Sequence, residues 1–405
     1  MCYAIPGKVV ELNGRHAVID YFGERRQAYT DLTRPSPGDY VYAQGGFVIQ
    51  TVPAQEALAI LADWQELFFR LQQTDQKLAQ RKRTLHEQAN AVRQQFQGNS
   101  CCVHGILEFS NYCRNNCLYC GIRKDNRKLQ RYRMSEQEIL QAVEYAVNQL
   151  GFRALVLQSG EDFWYSEAKL CRIVREIRAR FSVLIFLSLG ERPRATYHKL
   201  YEAGARGALI RFETSDAEQY KKIKPESTLA DRLGLIKDLR DLGYLIISGF
   251  LMGLPDPTAG VAQSGPRGQN GRNVLADIKR TAESGAEMFS FGPFIPHPET
   301  PLAAARGPRL ATVLNAIAQA RLMYPTAKIL VTTALETLDP AQGARAGLMA
   351  GANSLMINIT PQKYRRLYEI YPNRAGVEDD TPKRIDKLLE LLHALGRAPT
   401  DIGVS

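Results

Sequence analysis

Between Gly105 and Ile359 the chain repeats one pattern: a short apolar run, then a stretch at helical spacing. The runs are GILEF (105–109), ALVLQ (154–158), VLIFLSL (183–189), GALIRF (207–212), YLIISGF (244–250), MFSFG (288–292), KILVTT (328–333) and SLMINI (354–359). Strands that are apolar throughout are buried on both faces, and such strands belong to parallel sheets covered by helices. Eight of them in series predict a (β/α)8 TIM barrel, an α/β fold, over residues 101–400. A doubly wound sheet would carry a G-x-G-x-x-G turn after its first strand, and none stands there. DPTAGVAQSGPRGQNGR (256–272) reads as a long surface loop, because Gly and Pro crowd it.

The start of the chain has a different period. Residues 1 to about 52 alternate apolar and polar residues, with turn signals at Asn13-Gly14, Phe22-Gly23 and Pro37-Gly38. A helix follows from Ala54, with Leu58, Leu61, Trp64, Leu67, Phe68 and Leu71 as its apolar stripe. We therefore expect a first domain over 1–75, a small all-β, OB-like barrel with a C-terminal helix. A polar helical linker over 76–100 joins it to the large barrel.

Composition narrows the class. Hydrophobic residues make up 45% and charged residues 23%, values of a folded globular chain. No segment approaches the roughly 18 apolar residues of a membrane span. The first residues lack the basic and apolar regions of a secretory signal, so a cytoplasmic address is expected, where thiols stay reduced. The net charge is +10, part of it in IRKDNRKLQRYR (122–133). That stretch has no aromatic interleaving and no accompanying nucleic-acid-binding motif. It reads as a solvated basic face that draws an anionic partner or cofactor rather than nucleic acid.

GILEFSNYCRNNCLYC ends the first predicted strand, at the barrel end where active sites gather. Cys113, Cys117 and Cys120 stand in C-x3-C-x2-C spacing. Three thiolates can hold three irons of a cubane and leave the fourth open, whereas a structural zinc needs a fourth protein ligand. No paired cysteine or histidine set follows, and the last cysteine is Cys171. An iron–sulfur cluster is the expectation, and only one.

This motif, with Tyr119 before its third cysteine, resembles the radical S-adenosylmethionine (SAM) superfamily. The resemblance implies a [4Fe-4S] cluster whose open iron is chelated by SAM, reductive cleavage to a 5′-deoxyadenosyl radical, and an electron donor such as ferredoxin or flavodoxin. LQSGED (157–162), LSLGE (187–191), RFET (211–214), GPFIPHPETPL (292–302), TTALETL (332–338), GANSLMINITP (351–361) and YRRLYEIYP (364–372) are similar to the HydE family of [FeFe]-hydrogenase maturases. Methylornithine synthase belongs to the same broader group. The likeness implies SAM contacts from Tyr119, Gln158, Ser159, Gly160, Glu161, Arg211, Glu213, Arg232 and Met356. It implies substrate contacts from Ser188, Thr332, Thr333 and Tyr364. The chain departs from that family at Gly207, where an arginine is usual, at Phe186, a threonine, and at Phe212, a histidine. Those changes predict a narrower or more apolar substrate cavity.

MCYAIPGKV and PGDYVYAQGGFVIQ (37–50) resemble the HypC/HupF family of [NiFe]-hydrogenase assembly chaperones. The resemblance implies that Cys2, exposed after removal of Met1, binds a mononuclear iron carrying CO and cyanide. Gln44 replaces the family's histidine, and His16 is not aligned with it. Cys101 and Cys102 read as buried structural thiols. Three functions stay open at this point. The first is radical chemistry on an iron–CO/CN synthon or its cysteine-derived carrier, with another maturation protein as partner. The second is a radical rearrangement of an amino acid, with the small domain as a docking module. The third is a non-enzymatic iron-fragment chaperone.

Overall fold

The computed structural model describes residues 5–255 and 271–400. Cys2 and residues 256–270 of the expected surface loop lie outside the described residues.

Strands β1 (Gly7–Asn13), β2 (His16–Tyr21), β3 (Glu24–Tyr29), β4 (Tyr40–Gln44) and β5 (Phe47–Val52) close into a small barrel in the order β1-β2-β3-β5-β4. Alternation builds it. In β2 the residues Ala17, Ile19 and Tyr21 turn inward, beside Val9, Val41 and Val48. Helix α1 (Ala54–Ala79) leaves this barrel and buries Ala57, Phe68, Leu71 and Asp75. The apolar stripe differs from expectation at one end: Leu58 is 53% exposed, because Ala57 takes the inward position of that turn. Helix α2 (Leu85–Gln97) starts at a capping box of Thr84 and Glu87.

The eight expected strand runs are all present. They are β6 (Cys102–Ser110), β7 (Ala154–Ser159), β8 (Leu184–Ser188), β9 (Gly207–Leu209), β10 (Leu245–Ser248), β12 (Met288–Phe289), β14 (Lys328–Ile329) and β15 (Ser354–Asn358), with the two-residue strands β11 (Leu251–Met252) and β13 (Gly292–Pro293) paired apart from them. Every pairing in the large sheet is parallel, and a bridge from Leu330 to Ser354 joins its two ends. Along β6, Val103, Leu107 and Phe109 pack outward on helices, while Cys102 and Ile106 face the barrel interior. That is the period of two expected of a strand with two buried faces.

The small barrel caps one end of the large one. Tyr42, Phe47, Ile49, Val52 and Ala57 share a core with Cys102, Ala154, Leu184 and Met288, the opening residues of four barrel strands. The small domain therefore sits at the N-terminal ends of the strands, opposite the cysteine loop. Helix α1 is pinned there by a buried ionic knot. Asp75 receives Arg93 Nη2 at 2.6 Å and lies 3.2 Å from Arg397 Nε, all three side chains almost fully buried.

Candidate active site

The cysteine loop leaves β6 under tight backbone control. Gly160 N–H donates to Ser110 O at 3.0 Å, Arg114 N–H to Glu161 O at 3.1 Å, and Gly121 N–H to Ile370 O at 2.9 Å. Arg131 ties the far side, donating to the carbonyls of Ile122 and Asn111. Gly160 is required by close approach: a Cβ there would stand 2.2 Å from Tyr112 O and 2.9 Å from Cys113 Cβ.

Cys113, Cys117 and Cys120 line one cavity of about 340 Å³ at the C-terminal end of the barrel. Burial pushes all three thiols up, Cys117 well above the usual range and Cys120 to about 12, and neighbouring thiols add to the rise at Cys117 and Cys120. Uncharged thiols so placed give up their protons only to a cationic centre. Among the described residues no three His, Cys, Asp or Glu side chains stand close enough to hold a single ion. Three thiols lining one cavity suit a cluster that is itself several ångströms wide.

The same cavity takes in Tyr119, Gln158, Ser159, Gly160, Glu161, Ser188, Arg211, Glu213, Arg232, Thr332, Thr333 and Met356. Glu161 is buried, with Arg114 Nε at 3.3 Å, Arg232 Nη2 at 3.7 Å and Lys224 Nζ at 3.8 Å. Burial raises its carboxyl above the ordinary range, against the pull of Arg232. Glu191 shares Lys224 at 2.9 Å and Arg232 at 3.0 Å, so two carboxylates and two cations form one network. Arg211 Nη2 lies 2.8 Å from Glu213 Oε2. Glu213 has φ of 64°, and a non-glycine residue held in that region signals strain kept at a site.

Three expected features fall elsewhere. Tyr364 is outside the cavity: it stacks on Tyr132 at 4.8 Å and donates its hydroxyl to Glu138 at 2.6 Å. Tyr368 and Tyr371 line the cavity instead. The stretch YRRLYEIYP holds three tyrosines, and only the loop's fold says which face inward. Phe212 packs outward in the helix-facing core, since it lies one residue off the inward register of Arg211 and Glu213. Gly207 and Phe186 sit lower in the barrel and compensate each other. A Cβ on Gly207 would meet Phe186 Cδ1 at 1.8 Å, so the phenyl ring occupies the room a larger residue would need. The upper cavity is not narrowed by either phenylalanine.

Sequence reasoning also missed a polar group on the cavity wall. Glu108 is fully buried, paired with Arg374 and accepting from Asn358 Nδ2 at 2.8 Å. Glu108 stands just before the cysteine loop, inside a run read as plain strand. Its partners come from more than 240 positions later in the chain, a pairing no local pattern reveals.

Comparison with known proteins places this geometry. The radical SAM superfamily model matches residues 107–260, and the HupF/HypC family model matches residues 1–64. A [FeFe] hydrogenase maturase subunit HydE from Thermotoga maritima is 38% identical over 315 residues, covering 78% of this chain and 86% of that protein. This chain belongs to the HydE family of radical SAM enzymes. A 3-methylornithine synthase from Methanosarcina barkeri is 26% identical over 310 residues, 76% of this chain and 83% of that one. A crystal structure of methylornithine synthase matches the fold with a TM-score of 0.67 at 22% identity, over 82% of this chain and 97% of that one. The structure of HydG from Carboxydothermus hydrogenoformans matches with a TM-score of 0.61 at 18% identity, over 81% and 78%. The family brings a [4Fe-4S] cluster and SAM with it. The three thiols and the glycine-lined wall beside them fit both. No described helix is long and apolar enough to cross a membrane.

Proposed function

We propose that this enzyme turns radical SAM chemistry on an iron–CO/CN synthon, or on its cysteine-derived carrier, in assembly of a hydrogenase-type cofactor. The observation that carries the reading is one chain holding both modules: a HydE-family barrel with its cysteine cavity and a HupF/HypC-type domain fixed to its other end. Held by Cys113, Cys117 and Cys120, a [4Fe-4S] cluster would supply the electron for reductive cleavage of SAM to a 5′-deoxyadenosyl radical.

The chain's own residues divide the work around that event. Cys113, Cys117 and Cys120 hold the cluster. The arginines suit the SAM carboxylate, because a planar guanidinium matches a carboxylate with two parallel hydrogen bonds. Arg232 and Arg211 take that part, each already oriented by a carboxylate partner, Glu161 and Glu213. Glu161 and the Ser159–Gly160 backbone receive the SAM ammonium, and Tyr119, Gln158 and Met356 complete the cofactor wall. Glu213 holds Arg211 in place. Ser188, Thr332 and Thr333 face the substrate, with Tyr368 and Tyr371 taking the place expected of Tyr364. Cys2 carries the iron fragment, a ferredoxin or flavodoxin supplies electrons, and the small domain meets a second maturation protein.

A second reading has its own support. The Glu108–Arg374 pair offers a carboxylate and a guanidinium side by side, the complement of a zwitterionic amino acid, and the methylornithine synthases share this fold. One experiment separates the two. The enzyme is purified anaerobically from a host that makes hydrogenase and examined by infrared spectroscopy in the metal-carbonyl and cyanide stretching region. Bands that vanish in Cys2→Ala support the iron synthon. Their absence, with 5′-deoxyadenosine release driven by an added amino acid, overturns it in favour of the second reading. Cys113→Ala is expected to abolish 5′-deoxyadenosine release in either case.

A further inference from the structure

Two large aromatic side chains, Phe163 and Trp164, stand side by side just beyond the C-terminal end of β7, each 47% exposed. A lone exposed aromatic needs no explanation, but this pair is held rigidly and framed by charge. The Asp162 carboxylate fixes it, accepting from Trp164 N–H at 3.1 Å, from Ser110 Oγ at 2.7 Å and from Arg133 Nε at 2.7 Å. Arg192 closes the turn from below, donating to Asp162 O at 2.8 Å and Tyr165 O at 3.0 Å. Rings already immobile lose little entropy when a partner covers them.

Each ring carries cations. The guanidinium carbons of Arg114 and Arg192 lie 4.6 and 4.7 Å from the centre of Phe163. Lys169 Nζ stands 3.2 Å from the centre of Trp164, and Arg133 reaches both Trp164, at 5.4 Å, and Tyr112, at 3.6 Å. Glu161 and Asp162, the acids bonded to Arg114 and Arg133, are themselves buried, while the Arg114 side chain is 55% exposed. The basic stretch 122–133, whose one acid is Asp125, continues the same face. Lys124 N–H donates to Asn115 O at 2.9 Å, next to Arg114, and Lys124, Arg127 and Lys128 are exposed. Aromatics and arginines are the residues that interface cores favour, and a basic rim selects an acidic partner.

The position of the patch says which acidic partner. Tyr112 and Arg114 flank Cys113, whose thiol lines the active-site cavity. Neither of them lines it, and neither do Phe163, Trp164, Arg133 and Lys169. The patch is therefore the outer surface of the cysteine loop, one residue from a cluster ligand and outside the space of SAM and substrate. A protein that delivers an electron needs that nearness without entering the cavity. A nucleic acid gains nothing from it.

We propose that Phe163, Trp164, Arg114, Arg133 and Lys169 form the docking surface of an acidic one-electron carrier protein. The carrier is oxidised by one electron, which goes to the cluster held by Cys113, Cys117 and Cys120, and no bond forms or breaks. This locates the electron donor of the function proposed above and rests on that reading for the use made of the electron. That an acidic carrier binds here does not.

The test uses full-length protein with its [4Fe-4S] cluster reconstituted. Oxidised flavodoxin and, separately, an acidic ferredoxin are titrated into it anaerobically by calorimetry at low and high salt. The expected result is one carrier per chain for at least one of the two, with binding weakened by salt. Trp164→Ala and Lys169→Glu should each weaken it roughly tenfold, as loss of an interface anchor does. Lys169 occupies the third position of the helix Glu167–Arg180 behind its Ser166 cap, where glutamate suits the helix, so folding is not at risk. Both variants should release 5′-deoxyadenosine at the wild-type rate with dithionite, a small reductant, and several-fold more slowly with the reduced carrier. Wild-type protein that binds neither carrier, or variants that bind as wild type does, would overturn the proposal. So would a single-stranded oligonucleotide that binds in the carriers' stead and is lost in the variants, since it assigns the face to nucleic acid. Wild-type protein that releases no 5′-deoxyadenosine with dithionite sinks the proposed function and leaves the docking result standing.

Discussion

Single atoms decide whether the cysteine loop closes. Gly160 sits where any side chain would press on Tyr112 O and Cys113. Gly160→Ala is expected to displace Cys113 and leave the protein with substoichiometric iron and a weakened cluster absorbance. Full iron loading in that variant would show that the loop tolerates the extra methyl group. A second residue tests the electrostatics away from the site. Asp277 on the helix Gly271–Glu283 is buried, and burial lifts its carboxyl to about 6, while an N–H from Ser215 at 2.6 Å pulls the other way. Its folded-state pKa is raised above its unfolded value. The acid therefore stabilises the fold fully below about 3.8 and loses that contribution as pH rises through about 6. Asp277→Asn should raise the melting temperature at pH 8 and leave it little changed at pH 4, worth on the order of 2–3 kcal/mol at the higher pH. A variant melting profile parallel to wild type across that range would refute the assignment.

At the level of elements, the strands and the turns between them obey period and propensity closely. Each of the eight apolar runs became a barrel strand because only a strand can bury two faces of so short a segment. What faces inward is then a matter of parity, and parity explains Phe212. Side-chain pairs across strands are harder to foresee. Gly207 and Phe186 sit in register on neighbouring strands, β9 and β8, and the ring fills the glycine's missing volume. Gly207→Ala should destabilise the barrel by roughly 1–3 kcal/mol through overpacking. Phe186→Thr in the same chain should recover most of that loss. Additive losses in the double variant, measured by denaturant titration, would mean the two positions do not share space. Tyr364 was implied as a contact by the family likeness alone; it lies in a helix of only four residues, Gln362–Arg365, with its hydroxyl on Glu138, and the loop after that helix brings Tyr368 and Tyr371 to the cavity.

For the whole molecule, the consequential fact is where the small domain sits. It closes the N-terminal end of the barrel and is held by Asp75 between Arg93 and Arg397, side chains from α1, α2 and the C-terminal segment. Removing the one carboxylate leaves buried guanidinium groups without their charge partner. Asp75→Ala should cost about 3–5 kcal/mol and loosen the small domain from the barrel. Limited proteolysis in the α1–α2 region would report that loosening, and protection equal to wild type would show that the apolar contacts suffice. Local signals in the chain were enough for the barrel, the small β domain and the cysteine loop, because spacing, strand parity and turn residues act over short distances, while most of the cavity wall came from the likeness to the HydE family. The Glu108–Arg374 pair, the inward tyrosines, the Gly207–Phe186 match and the docking of the small domain against Cys102 and His104 came from folding. Each joins residues far apart in sequence, and such contacts arise when distant surfaces must share a buried volume.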